Sequence, residues 1–142
     1  MANNAPIFSK AGDVSSNNGT GMAPTLTTGN NNYDGTNASA ALVYTAGASG
    51  GFIQRLRFKA IGTNVPTVAR IFINNGSTHT TAANNSFYGE ISLPATTAAS
   101  TTATIEEDYI MNLAIDASFT IYVILATTVA AGWVVTPVAG QY

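Results

Sequence analysis

Short runs of β-branched and aromatic residues, separated by clusters of turn-forming residues, recur from residue 40 to the end of the chain. Spacing of this kind is typical of an all-β sandwich or barrel. The predicted strands are residues 41–46, 52–61, 68–73, 87–93, 109–115, 118–127 and 133–138, with an eighth near residues 102–105. No segment keeps the roughly 3.6-residue apolar period of an amphipathic helix, so we expect no helical layer.

The clearest predicted strand, residues 52–61, alternates in character along its length. Its uncharged positions share one face: Phe52, Gln54, Leu56, Phe58 and Ala60. The opposite face carries Arg55, Arg57 and Lys59, three of the five basic residues in the chain. A period of two is expected of a half-buried strand, so this pattern predicts an apolar inner face and a cationic outer face.

Charge is scarce in the rest of the chain. Five basic and seven acidic residues make up 8% of the sequence, where an ordinary domain has roughly 25% charged residues. So few basic residues cannot form the cationic stripe that nucleic-acid binding needs, and we expect no nucleic-acid partner. A hydrophobic content of 46% argues against a disordered chain. The surface must instead be rich in threonine, asparagine and alanine, which favours contacts made by shape and apolar burial with little salt dependence.

The uncharged stretch 119–138 has the length of a membrane span. It is rich in β-branched residues, however, and Gly132 and Pro137 interrupt it. Two strands joined by a turn fit this pattern better, so we expect no membrane partner. Residues 1–10 have neither the basic region nor the apolar run of a secretory signal, and none is expected.

Residues 1–37 differ in composition from the rest of the chain. They are crowded with asparagine, glycine and serine and contain only two aromatic residues, Phe8 and Tyr33. Such a stretch buries too little apolar surface to offset its own ordering entropy. We therefore predict an extended N-terminal arm at residues 1–37, ordered by what it touches, followed by a single β domain at residues 38–142.

Groups that could perform catalysis are sparse. The single histidine, His79, lies in a polar loop and is interpreted as a solvated side chain, and there is no cysteine. Glu106, Glu107 and Asp108 are adjacent but lack the spacing of a calcium-binding loop. They are interpreted as a charged turn before the next strand, with an inter-subunit pairing to the three cations of residues 52–61 as the alternative. We predict no enzymatic activity, no metal site and no cofactor.

Several stretches together resemble small virion proteins encoded beside the capsid genes of tailed bacteriophages. They are Leu-Val-Tyr-Thr-Ala-Gly at 42–47, Ile-Gln-Arg-Leu-Arg at 53–57, residues 69–76, residues 88–94, Ala-Gly-Trp-Val-Val at 131–135 and Gly-Gln-Tyr at 140–142. The resemblance covers residues 40–142 and is to head decoration, or cement, proteins. It lies in a pattern of strands and turns, and the family has no catalytic residues to carry over.

The resemblance implies a jelly-roll-like antiparallel β-sandwich of about seven or eight strands. Proteins of this kind sit as homotrimers on the outside of the phage head and brace neighbouring major capsid subunits. We would then expect synthesis in the host cytoplasm and incorporation at the exterior of the virion capsid. The residues expected at capsid or inter-subunit contacts are Phe8, Tyr33, Arg55, Arg57, Lys59, Glu106, Glu107 and Asp108.

A function of a different class stays open. A tail-fibre or adhesin module could bind a carbohydrate or another receptor through exposed aromatic residues such as Tyr33, Tyr88 and Tyr142. Glycan binding by the free protein would favour this alternative, whereas saturable binding to undecorated capsids would favour a decoration protein.

Overall fold

The structure, a computed structural model, describes residues 23–141. Their main elements are the strands β1 (Thr25–Leu26), β2 (Ala41–Thr45), β3 (Gly51–Ala60), β4 (Thr67–Asn74), β5 (Asn85–Leu93), β6 (Glu106–Ile115), β7 (Thr120–Leu125) and β8 (Trp133–Gln141). A short 3-10 helix, Ala82–Asn84, is the only helical element in this part of the chain. The predicted all-β class is therefore confirmed. The described residues contain no helix that is long and apolar enough to cross a membrane.

The eight strands form two sheets of four. The first sheet has the order β1-β8-β3-β6 and the second has the order β2-β7-β4-β5. Thus β1 pairs with β8, β2 with β7, β3 with β6 and β4 with β5, each pair antiparallel. This pairing arises when one long antiparallel hairpin wraps so that its connecting loops pass between the sheets, which is the connectivity of a jelly roll. The predicted jelly-roll-like sandwich is confirmed.

The hydrophobic core lies between the inner faces of the two sheets. From the first sheet, Phe58 and Trp133 are fully buried, and from the second, Ile71 and Val123 are fully buried. Complete burial of a large apolar side chain stabilises a fold by about 1.5–3 kcal/mol, so contacts of this kind hold the sheets together. Burial also reaches the outer side of the second sheet, where Phe72 is covered as well.

The predicted inner face of β3 is wrong in its first half. Ile53 is buried, whereas Phe52 is half-buried and Gln54 is exposed. The register of β3 shifts between Ile53 and Arg55 on both of its neighbours, β6 and β8. On β6, Asn112 accommodates the shift with a φ of 47°, a left-handed conformation that asparagine tolerates. The bulge reverses the alternation, so Leu56, Phe58 and Ala60 face inward as predicted but Phe52 and Gln54 do not.

The eighth strand is not near residues 102–105, where the chain forms bends and irregular structure. It is β1, which pairs Thr25 with Val134 and Leu26 with Trp133. The stretch before β6 is rich in alanine and threonine without alternation. It therefore offers no apolar face to bury, whereas Leu26 is only 5% exposed in the core.

Residues 23–37 of the predicted arm run along the sandwich. Pro24 O accepts a hydrogen bond from Val135 N at 3.0 Å, and Asn30 N donates to Leu125 O at 2.7 Å. Between these points the backbone of Gly29 lies so close to residues 127–128 that an added Cβ would stand 2.2 Å from their backbone atoms. The segment thus contacts β8 of the first sheet and then β7 of the second, before it crosses the second sheet's outer face.

Candidate functional site

Three loops meet at one end of the jelly roll, which we call the loop end: residues 61–66, 94–105 and 126–132. The three loops follow β3, β5 and β7, and they lie together because these strands all finish at this end of the sandwich. None of these residues is charged, and most are alanine, threonine or glycine. Three large aliphatic side chains are exposed here: Ile61 (52%), Val65 (53%) and Ile105 (42%). The loop end is therefore an uncharged surface with three exposed apolar side chains.

Asn64 holds the three loops in place although it is only 4% exposed. Its Oδ1 accepts hydrogen bonds from Ala131 N at 3.0 Å and from Gly132 N at 2.7 Å. Its Nδ2 donates to Gly132 O at 3.1 Å and to Thr96 Oγ1 at 3.2 Å. Backbone bonds between Asn64 and Thr96 run in both directions at 3.0 Å. One buried side chain thus joins the first, second and third loops.

A second set of bonds fixes the end of the middle loop against β3. Thr104 Oγ1 donates to Ala60 O at 2.6 Å, and Lys59 Nζ donates to Thr104 O at 2.6 Å. Ala60 N also donates to Ile105 O at 3.1 Å. The exposed side chain of Ile105 therefore extends from backbone that is fixed to β3 by hydrogen bonds.

The predicted cationic face of β3 is present, and its partners belong to the same chain. Arg57 donates from Nε to Asp108 Oδ1 at 3.0 Å and from Nη2 to Oδ2 at 3.2 Å. Arg55 Nε lies 3.6 Å from Asp108 Oδ2, and Lys59 Nζ lies 3.8 Å from Glu106 Oε2. The register explains this ladder, because Arg57 is directly opposite Asp108 and Lys59 is opposite Glu106. The acidic residues lie in β6 and not in the charged turn that was predicted.

The ladder predicts a small dependence of stability on pH. The hydrogen bond from Arg57 lowers the pKa of Asp108 below its ordinary value of 3.8. The stabilisation by this carboxylate is then present above the unfolded-state pKa and is lost as the pH falls through the lower folded-state pKa. Because the pair is partly solvated, we expect Asp108→Asn to lower the free energy of unfolding at neutral pH by at most about 1 kcal/mol.

Urea denaturation of both proteins at several pH values measures this effect. The difference between wild type and Asp108→Asn should shrink as the pH falls below 3.8. Asp116→Asn is the control, because Asp116 has no ion pair among the described residues. A difference for Asp108→Asn that persists undiminished in acid would contradict the assignment of the ladder.

Glu107 points to the other side of β6, as the period of two requires. It lines a groove of about 590 Å³ between the two sheets, adjacent to the loop end. The three adjacent acidic residues therefore do not act together, since two belong to the ladder and the third belongs to the groove.

Tyr33 lies far from the ladder, on the outer face of the second sheet. Its ring covers the guanidinium of Arg70, with 3.7 Å between the ring centroid and Cζ. Arg70 is only 4% exposed, and it also donates to Asn31 Oδ1 at 2.8 Å and lies 3.4 Å from Glu90 Oε2. Phe8, the other predicted arm contact, lies outside the described residues. The predicted contact residues that are described thus fall in three separate places.

The interpretation of His79 as a solvated side chain is wrong. Its ring stacks on Tyr122 with centroids 4.6 Å apart, and its Nε2 is buried without a hydrogen-bond partner among residues 23–141. Burial also raises the pKa of Tyr122. The polar loop that contains His79 therefore folds back over the second sheet, where the histidine serves as a packing residue.

Sequence reasoning missed Asn64, the exposed aliphatic residues of the loop end, and Arg70. Asn64 follows Gly62 and Thr63 in an ordinary loop pattern, so no local signal separates it from the other asparagines. Arg70 carried a usable signal, because a lone charge inside the apolar run 68–73 must have a partner if it is buried. That signal could have indicated that another segment of the chain covers the outer face of the second sheet at Arg70.

Comparison of the chain with protein-family models, with curated proteins and with solved structures found no match. Among residues 23–141 there is no group of three or more His, Cys, Asp or Glu residues that could hold a metal ion. A functional proposal therefore depends on the sequence resemblance and on the chemistry of the described surface.

Proposed function

We propose that this chain is a non-enzymatic structural protein of a bacteriophage virion, a decoration or cement protein that binds the outer surface of the head. In this role it contacts neighbouring major capsid subunits and stabilises them, and three copies associate at each site. The proposal is based on the sequence resemblance and is supported by one observation above all. The loop end presents exposed apolar side chains on uncharged loops that are joined to one another by hydrogen bonds.

The loop end has the properties of a contact surface that recognises shape. Val65 is exposed next to Asn64, which is buried and bonded to both other loops. Rigid loops lose little conformational entropy on binding, so more of the gain from apolar burial contributes to affinity. The centre of a protein interface is depleted of charge and is formed by well-packed apolar anchors. Ile61, Val65 and Ile105 supply such anchors in this proposal.

The test is cosedimentation of the purified protein with expanded heads that lack it. We expect saturable binding whose dissociation constant changes by less than about tenfold between low and molar salt, because contacts without charge are not screened. We expect Val65→Asp to weaken binding by more than about tenfold, since it places an unpaired charge at an apolar contact.

Thr80→Asp is the matched control, because Thr80 is exposed at the opposite end of the sandwich. Both variants should keep the wild-type unfolding midpoint, since both sites are exposed. Equal binding of Val65→Asp and wild type would show that the loop end is not the contact surface. Absence of saturable binding by the wild-type protein would contradict the decoration function itself.

One observation favours the carbohydrate-binding alternative. Tyr33 and Phe87 are 56% and 42% exposed, and their rings meet edge to face at 5.6 Å on the outer face of the second sheet. Neighbouring exposed aromatic rings can stack against a sugar. Binding on a glycan array that Tyr33→Ala abolishes, together with no binding to heads, would select this alternative.

A further inference from the structure

The groove beside Glu107 is an apolar cleft with one charged group. Its lining residues are Pro66, Thr67, Val68, Ser92, Leu93, Pro94, Glu107, Ala126 and Thr127. Thr67 Oγ1 donates to Thr127 O at 3.1 Å and accepts from Thr127 N at 3.0 Å, so these polar groups satisfy one another. Glu107 is the only charged residue that the described part of the chain contributes to the lining, and it is half-buried there.

Glu107 has no partner of its own in the described part of the chain. Its neighbours Glu106 and Asp108 face the basic residues of β3, and Glu107 faces away from them. Its carboxylate forms no ion pair or hydrogen bond with any of residues 23–141. A half-buried carboxylate beside apolar walls loses part of its hydration without a compensating contact. The groove therefore favours a ligand that carries positive charge.

The chemistry of the groove excludes other ligand classes. A carboxylate repels phosphate and other anions, and a single carboxylate cannot supply the roughly six to eight oxygen ligands that calcium takes. No aromatic residue among the described residues lines the groove, so this lining offers a sugar ring no stacking surface. A lysine or arginine side chain fits best, because its apolar stem can lie along Pro66 and Val68, which keep exposed surface in the groove, while its charged head reaches Glu107.

The cation is not supplied by the described part of a second copy. Arg55, Arg57, Lys59 and Arg70 are the basic residues of residues 23–141, and each is already paired with an acidic residue of its own chain. Breaking such a pair to form another gains little, because one ion pair replaces another. With no unpaired basic side chain among residues 23–141, a basic side chain of a different protein is the occupant that fits the groove.

We propose that this groove binds a lysine or arginine side chain, flanked by apolar residues, on a partner protein. The carboxylate of Glu107 accepts the charge-assisted hydrogen bond, and the apolar walls contact the stem and the flanking residues. The identification of the partner as the major capsid subunit rests on the proposed function, whereas binding of the basic side chain does not.

The test uses the full chain and the peptide acetyl-Leu-Lys-Leu-amide as the probe. Titration is followed by the backbone amide signals of the protein in NMR spectra. We expect millimolar binding that shifts the signals of residues 67–68, 92–93, 107 and 126–127. Glu107→Gln should weaken this binding by at least about tenfold, the loss expected when a hydrogen bond to a charged group becomes a neutral one.

Glu106→Gln is the matched control, because Glu106 is adjacent but belongs to the ladder. Glu106→Gln should leave the affinity for the peptide unchanged. A second control is a peptide with norleucine in place of lysine. Its affinity for the wild-type protein should be as low as the affinity of the lysine peptide for Glu107→Gln. Equal affinity of wild type and Glu107→Gln, or no shift in the groove at any concentration, would overturn the proposal. Tighter peptide binding by Lys10→Ala would also overturn it, since the chain's own lysine would then be the competing occupant.

Head binding separates this inference from the proposed function. If wild type binds heads and Glu107→Gln binds them at least about tenfold more weakly, a basic group of the capsid occupies the groove. If the peptide binds and heads do not, the groove inference stands and the decoration function is wrong. If heads bind both proteins equally and the peptide shows no preference for Glu107, the groove inference is wrong and the decoration function stands.

Discussion

Replacement of Asn64 by alanine is expected to lower the free energy of unfolding by about 3–5 kcal/mol. The variant leaves the amides of Ala131 and Gly132 without the Oδ1 atom that accepts both of their hydrogen bonds. A buried amide without a partner costs about 1–3 kcal/mol, and water cannot easily replace the amide group at a site that is 4% exposed. Because a domain of this size is stable by only about 5–15 kcal/mol, the loss is a large share of the total.

Chemical denaturation of wild type and variant measures this loss. Asn75→Ala is the matched control, because Asn75 is an exposed asparagine that also accepts a backbone hydrogen bond, from Ser77 N at 3.1 Å. Its loss should stay below about 1 kcal/mol, since solvent can replace an exposed bond. A loss of less than about 1 kcal/mol for Asn64→Ala would mean that Asn64 does not hold the loops together.

The consequences for head binding follow from the same contacts. Once the three loops are no longer joined, Val65 and Ile105 are no longer held at fixed positions relative to each other. Binding then carries the entropic cost of ordering the loops. In the proposed function, Asn64→Ala should therefore weaken binding to heads even at temperatures where the variant remains folded.

The fold class could be predicted from the sequence because seven of the eight strands carry their own signal, whereas β1, with two residues, carries none. In β3, alternation from Arg55 to Ala60 predicted which side chains face the core, and the structure agrees over that stretch. The signal failed at Gln54, where a bulge reverses the alternation. A bulge depends on the pairing of β3 with β6 and with β8, and neither partner can be identified from the residues of β3 alone.

The pairing of charges was predictable in part. The alternation in β3 and the run at 106–108 showed that cations and anions each share a strand segment. That Arg57 meets Asp108 depends on the register between β3 and β6, which are separated by three strand connections in sequence order. The period of two places the side chain of Glu107 on the opposite face of the strand from its two acidic neighbours. This can be predicted only once the segment is known to be a strand.

The loop end could not be predicted, because its features arise from tertiary structure. Asn64, Thr96 and Gly132 lie in three different loops and meet only because the jelly roll brings those loops to one end. Composition showed that charge is scarce, but not that one whole end lacks it. Local patterns describe single elements, whereas a contact surface of this kind depends on how several elements are arranged.

Replacement of Arg70 by methionine is expected to lower the free energy of unfolding by about 2–3 kcal/mol and to release the segment that covers the second sheet. The guanidinium joins Tyr33, Asn31 and Glu90, so its removal breaks one ring contact and the bonds to two neighbouring segments. Methionine keeps the apolar volume of the buried stem of Arg70, so the loss in free energy of unfolding measures the contribution of the guanidinium group. Glu90 is 46% exposed and can be solvated, so no buried charge is left unpaired.

Hydrogen exchange at residues 30–37, together with denaturation, distinguishes this release from a general loss of stability. Arg57→Met is the matched control, because it makes the same substitution in the exposed ladder and should cost at most about 1 kcal/mol. In Arg70→Met, exchange in residues 30–37 should accelerate more than exchange in β3, because only that segment loses its anchor. Uniform acceleration in both regions would contradict a local role for Arg70. If Tyr33 also loses its position, a sugar that binds at Tyr33 and Phe87 should lose affinity, whereas the head binding proposed for the loop end should not change.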